Sequence, residues 1–532
     1  MNSQKLQDQY PKIYGDFFKS CQKVVSAPHS FFWTGDFSGF YGGLTISLKL
    51  PLRFYVGLEK IKADQFDLCQ EFPAYFPETA KFSQIRLDHY LVENLREFIG
   101  EKLKGYRVHF LSELTLGLSL GGLGAVAACL AELIGSLEGS NSSRLTDLTK
   151  KFDLASSIAL RLQRGRTSAA TVFSSLVSSN YPTVFYCKGA KWWGKTLDEI
   201  VKLPESIVWP IDFGLIFSGK LVQGSAVILS AEEIKKTSRS REKRIREMIG
   251  SSPGTFWPVY ISMLDQVANQ NLLAQTDLFK KGSSETNLKF FFDTLNQYQN
   301  LLHFLEISTP AIDKIYSGVH KLANNLWDGI GSGCKISGVG KGGEVLFALP
   351  YGQHRERIEK FINDEKLSLD YASWRDGFEK RGVICEQDIF AKHYSPFVKG
   401  EMNILTVYKD NDIETKIIDR QQISSIKVDL LLDKNLNKVF CSGKKVTSTQ
   451  LPSQKGVVEI LGKILQSKTL KITNKQISSS YGKSRFDLQS KITSPLSKLC
   501  RLEFELTGKM YDNFSLRLKP FGISIAILEK IN

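Results

Sequence analysis

The chain has 532 residues, 42% hydrophobic and 23% charged, with a formal net charge of +15. That length predicts several domains, and that composition excludes wholesale disorder. The charge is uneven: residues 436–532 hold 17 Lys/Arg against 6 Asp/Glu, a net +11, which leaves +4 for the first 435 residues. A basic tail of this kind either meets polyanions, such as nucleic acid or an acidic membrane surface, or is a solvated basic face.

Eight cysteines in a chain this long, none at CxxC or zinc-finger spacing, exclude a disulfide scaffold and predict reduced, mostly buried thiols. The first twenty residues lack the basic-then-apolar pattern of a signal peptide, so a cytoplasmic location is expected. Residues 114–137 are the one membrane candidate. With five glycines and Glu132 they are too interrupted for a span, and no membrane partner is expected.

In chain order, residues 22–60 alternate apolar and polar residues and predict strands. Residues 91–105 have apolar residues at helical spacing, and YRVHFLSELTL predicts a strand. GLSLGGLGAVAACLAELIG, residues 117–135, then reads as a glycine-rich turn opening a helix. Such a turn presents helix-entry amides to a phosphate, or else serves close packing. ASSIALRLQRG predicts a helix, and YPTVFYCKG and IDFGLIFSG predict strands. Residues 231–248 read as a charged, solvated helix. Two periodic helices run through FFDTLNQYQNLLHFLEI and PAIDKIYSGVHKLANNLW, and residues 331–350 give strand, glycine loop, strand. The expected class is α+β.

Three of these segments, in order over residues 26–349, resemble the motifs of the GHMP kinase superfamily, with the mevalonate kinase branch the most similar. In the first, SAPHSFFWTGDFSGFYGG, Ala27, Pro28, Gly35, Gly42 and Gly43 fit the pattern. His29 and Ser30 stand at the family's Gly-Lys pair, and Asp36 at its Glu. In the second, Gly117, Leu120 and Gly121 match, Ser119 replaces a glycine, and Gly122-Leu123 stand at the family's Ser-Ser, ahead of Gly124 and Ala125. In the third, KISGVGKGGEVLFAL, Lys335, Gly338, Gly340 and Gly342 fall in place, with Ser337 for Thr, Lys341 for Gly and Gly343 for Cys. An intermediate segment, QRGRTSAATVFSSL, matches at Gly165 and Ser168 and puts Thr171 at the family's catalytic Asp.

The resemblance implies a two-lobed fold over residues 1–205 and 206–394. ATP would lie on Gly117, Ser119, Gly121, Gly122 and Gly124, with loop 337–343 beside it. A small alcohol or phosphorylated metabolite would lie against His29, Ser30, Asp36 and Ser168. The catalytic set departs from the family: Ser30, Leu123 and Thr171 stand where it has a lysine, a magnesium-holding serine and a base. Leu123 offers no oxygen to a hard cation, and a threonine hydroxyl is no general base near neutral pH. Magnesium is therefore doubtful, and no metal site is expected. Asp36, Glu113 and Lys341 are the charged groups left to substitute. Two readings follow: an ATP-dependent small-molecule phosphotransferase with a degraded site, or a non-catalytic nucleotide or metabolite sensor.

After a connecting segment at 395–427, residues 428–532 read as hairpin, three helices and hairpin. That order is similar to the winged-helix domains at the ends of response regulators. Its third helix carries Lys483, Arg485, Lys491 and Lys498, the candidates for DNA contact. A protein partner is the alternative.

Overall fold

In the computed structural model the described residues are 2–118, 120–137, 148–163, 167–188, 191–203, 209–221, 256–304, 307–324, 331–338, 340, 342–386, 402–409, 412–419 and 428–530, the last span with gaps at 435, 443, 448–449, 452, 468–469, 478–487, 508–514 and 520–521. They form two compact units, one of residues 1–3 and 17–388, the other of 4–16 and 389–532. The lobes expected at 1–205 and 206–394 thus fall within one unit that holds two sheets. The charged helix expected at 231–248, Gly165, Ser119, Lys341, Lys483 and Arg485 lie outside the described residues.

The chain starts with helices α1 (Ser3–Gln9) and α2 (Pro11–Ser20). The first unit is then built on the long antiparallel pair β1 (Lys23–Thr34) and β2 (Thr45–Lys60). Both strands are buried along almost their whole length, polar residues such as Ser26, Ser47 and Arg53 included. Pro28 faces Arg53 but Ser30 faces Lys49, so β2 bulges opposite His29. Pro28 and Pro51, which lack the N–H that a ladder needs, sit at this break. Around the pair lie β3 (Phe66–Leu68), β4 (Glu71–Phe76), β5 (Lys81–Arg86), β6 (Tyr106–Ser112), β7 (Thr183–Lys188) and β8 (Lys191–Thr196). A two-residue strand, Ile384–Cys385, closes the far edge against β1.

Against this sheet pack α3 (His89–Ile99), α4 (Gly122–Leu137), α5 (Leu148–Leu162) and α6 (Ala170–Leu176). α4 is apolar on nearly every side, with Gly124 to Ala131 all buried, which makes it the central helix of the core. The second sheet has the order β10 (Gly333–Ile336), β11 (Glu344–Pro350), β9 (Ile211–Phe217) and β12 (Ser368–Ala372). It packs on α7 (Phe256–Lys281), α8 (Glu285–Phe304), α9 (Pro310–Asn324) and α10 (Arg355–Asp364). The two helices expected on either side of residue 305 are α8 and α9.

In the second unit, β14 (Met402–Lys409) and β15 (Asp412–Asp419) form a hairpin. β22 (Ser524–Lys530) pairs with β14 and, in parallel, with β16 (Leu430–Asp433). β17 (Lys438–Cys441) and β18 (Lys444–Lys445) complete six strands. The stretch expected to be a connector, 395–427, therefore contributes two strands to this sheet. Their partner lies more than a hundred residues downstream, which no local pattern announces. Helix α11 (Gln454–Gln466) follows, capped by the Ser453 hydroxyl, which accepts from the Gly456 amide. Then come β19 (Lys471–Thr473), a 3₁₀ turn at Asn474–Gln476, and a helical run through Cys500. The described part of that run holds a π turn at Gln489–Thr493 and continues as α12 (Ser494–Cys500). Pro495 has no N–H to complete a regular ladder at this junction. β20 (Phe504–Thr507) and β21 (Ser515–Leu518) form a hairpin, and β19 joins it on the β21 side.

Candidate functional site

The first and second motifs meet where β2 bulges opposite His29. The Ser30 amide donates to Leu120 O at 3.1 Å, which clamps the glycine loop onto the strand. Beside it, His29 Nδ1 lies 3.3 Å from the same carbonyl, and Nε2 lies 3.3 Å from Ser112 Oγ. A carbonyl only accepts, so Nδ1 carries the proton. Burial lowers the His29 pKa to about 4, only partly offset by the bond to Leu120. The imidazole is thus neutral at pH 7 and offers a phosphate no charge.

The loop glycines answer a packing demand. A Cβ on Gly121, whose φ is +68°, would lie 2.7 Å from Ser30 Oγ and 3.1 Å from Thr171 Cγ2. One on Gly124 would lie 2.5 Å from Thr171 Oγ1 and 2.9 Å from its carbonyl carbon. Gly122 would meet Leu116 at 3.0 Å. His29, Ser30, Gly121, Gly122, Gly124 and Thr171 therefore converge. Yet each of these glycines is explained by close approach of protein atoms. Two features remain that packing does not use. The first-turn amides of α4 have no intrahelical acceptor, and the buried Ser30 hydroxyl has no hydrogen-bond partner. Gly117, at φ +98°, opens the same turn.

Thr171 is buried at the start of α6, and its neutral hydroxyl packs on α4. Ser168 lies elsewhere in the motif: a Cβ on Gly39 would sit 3.3 Å from its Cβ. Leu123 packs against the apolar cluster of the first sheet. The Leu123 side chain has no oxygen to offer a magnesium ion. Among the described residues no group of His, Cys, Asp and Glu could hold a metal.

The remaining charged candidates are engaged. Asp36 Oδ2 is 3.0 Å from Lys335 Nζ, with both side chains fully buried. Burial pushes the Asp36 carboxyl up and the Lys335 ammonium down, and each is opposed by the charge of the other. Lys335 also donates to Phe32 O at 3.3 Å. Asp36 thus ties the end of β1 to β10, which is a structural task. Glu113 accepts from the Arg53 amide at 2.6 Å and from Tyr55 OH at 2.8 Å. Lys49, opposite Ser30, donates to Val177 O at 3.0 Å and Lys380 O at 2.9 Å, and burial lowers its pKa to about 7. The third loop is held by its glycines. Gly340 lies against Ile307, Gly342 against Lys220 O, and the Gly343 amide donates to Lys220 O at 2.8 Å. The Ser337 amide donates to Glu344 O at 2.9 Å, and Gly338 has φ +77°.

The structural neighbours of this chain are GHMP kinases. The Lactococcus lactis galactokinase complexed with galactose is 14% identical, with a TM-score of 0.47 over 72% of this chain and 99% of its own. The Methanococcus jannaschii mevalonate kinase is 14% identical, with a TM-score of 0.41 over 66% of this chain and 96% of its own. The Streptococcus pneumoniae phosphomevalonate kinase is 11% identical, with a TM-score of 0.43 over 66% of this chain and 98% of its own. No family model and no curated protein matches the sequence. The ion pair between Asp36 and Lys335 is what sequence reasoning missed. The available signal was a lysine set in the apolar strand GCKI, where a charge needs a buried partner. All eight cysteines are free, and among the described residues no helix is long and apolar enough to cross a membrane.

Proposed function

We propose that the first unit binds a nucleotide or a phosphorylated small molecule at the 117–124 loop and transfers phosphate poorly or not at all. The observation that carries this reading is the convergence of Ser30, Gly121, Gly124 and Thr171, in motif order, with no carboxylate among them. The α4 amides and the Ser30 hydroxyl are the donors for an anionic oxygen. Phosphoryl transfer needs charge neutralisation and an oriented nucleophile. Here the base position is Thr171, the metal position is Leu123, and Asp36 is neutralised by Lys335. Loss of a general base alone removes about 10²- to 10⁴-fold of rate. A sensor, rather than a phosphotransferase of the mevalonate kinase kind, is the reading these residues favour.

The test is calorimetric titration of the full chain with ATP, with and without magnesium, followed by a turnover assay over mevalonate, phosphomevalonate, homoserine and galactose. Binding of equal strength with and without magnesium, and no product, is expected. Magnesium-dependent binding with product overturns the sensor reading. Absence of binding makes the loop glycines a packing device alone.

A further inference from the structure

The second unit places a basic helix beside a strand hairpin, and we propose that it binds double-stranded DNA, with the helix at residues 488–500 in the major groove. This goes beyond the ligand reading above and does not depend on it. The order of elements is α11, β19, a 3₁₀ turn, the helix ending at Cys500, then the hairpin β20–β21. The three strands pair as β19-β21-β20, so the strand before the helix is stitched to the outgoing strand of the hairpin. The helix and the sheet share one apolar core, and a helix held on such a scaffold is the element that enters a major groove.

The chemistry agrees with that geometry. Leu488, Ile492, Leu496 and Cys500 are buried in the core of the unit, with Val457, Leu461 and Ile464 of α11. That fixes the other face of the helix outward, and Lys491 and Lys498 are both exposed. No carboxylate occurs from 488 to 502. Lys471 and Arg517, paired across β19 and β21, are exposed on the sheet, and Lys475 on the 3₁₀ turn. Glu505, on the other side of Arg517, is the acidic exception on that sheet. The +11 of residues 436–532 matches a ligand that carries one negative charge per about 1.7 Å of its axis. A DNA duplex has a major groove wide enough for a helix, whereas that of duplex RNA is too narrow and deep for side chains to read.

The experiment uses the full chain, a pool of random-sequence 30-base-pair DNA duplexes, the same sequences as RNA duplexes, and polyglutamate, all read by fluorescence anisotropy. Retention of DNA at 0.1 M salt is expected, with log affinity falling linearly against log salt. Lys491→Gln and Lys498→Gln are each expected to lower that slope by about one and to weaken binding roughly fivefold at 0.15 M salt, while Lys321→Gln in the first unit changes neither. Thermal melts run alongside keep a folding defect from passing for a binding defect. No binding at 0.05 M salt overturns the proposal. So does equal competition by RNA duplex or polyglutamate, or wild-type affinity and slope in both lysine variants.

Discussion

His29 gives the site a pH signature that can be read without any ligand. An unfolded histidine titrates near 6.5, while burial holds this one at about 4. Above pH 6.5 neither state binds the proton, and the contribution of His29 to stability is fully present. As the pH falls, the unfolded chain takes a proton that the folded chain refuses, and the contribution is lost between about 6.5 and 4. At about 1.4 kcal/mol per pKa unit, the loss is on the order of 3 kcal/mol. Asp370 titrates in an overlapping window with the opposite sign. Burial raises it to about 6, so its contribution is present at lower pH and is lost as pH rises. A comparison of the wild type with His29→Gln separates the two. Urea denaturation at pH 7 and 4.5 is expected to show the wild type losing about 3 kcal/mol more than the variant on acidification. Equal losses would mean that His29 takes up its proton in the fold.

At the scale of elements, the contact between α4 and α6 decides how the glycine loop is held. Alanine is favoured over glycine inside a helix by about 1 kcal/mol. At Gly124 the added carbon would lie 2.5 Å from Thr171 Oγ1, 2.8 Å from its Cβ and 2.9 Å from its carbonyl carbon. A rotamer change relieves only the first of these, so α6 must move as a body. Overpacking of that kind costs about 1–3 kcal/mol. Gly124→Ala is therefore expected to destabilise by about 1 kcal/mol or more in urea melts, and Thr171→Ala in the same chain to recover part of that. A variant as stable as the wild type would show that the two helices part easily. The same contact explains what the sequence withheld. Gly121, Gly122 and Gly124 were legible as a loop at a helix start. Whether a glycine faces a ligand or a threonine some fifty residues later depends on Cβ directions that only the packed helices define. The pairing of Asp36 with Lys335, across two sheets, was hidden for the same reason.

At the scale of the whole molecule, local patterning gave most of the strands and helices, but the boundary before the basic unit was placed at 428 rather than ahead of β14. β14 completes its hydrogen bonding only with β22, at the far end of the chain, so its membership is a long-range fact. The apolar clusters of the two units share no residue. One gathers Leu130 and its neighbours under the first sheet, the other Leu461 and its neighbours under β16 and β21. Separate cores imply separate cooperative transitions, because burying or exposing one set of side chains does not require the other. Truncating a fully buried leucine to alanine costs about 2–5 kcal/mol. In a unit of 150–250 residues each kcal/mol moves the midpoint by about 2–4 °C. Scanning calorimetry of the full chain is expected to show two transitions. Leu461→Ala should lower the midpoint of the smaller unit by roughly 5–15 °C and leave the other in place, while Leu130→Ala should do the reverse. A single transition moved by both substitutions would mean that the units fold as one cooperative body. A change in the ligand site of the first unit would then reach the basic helix through stability itself.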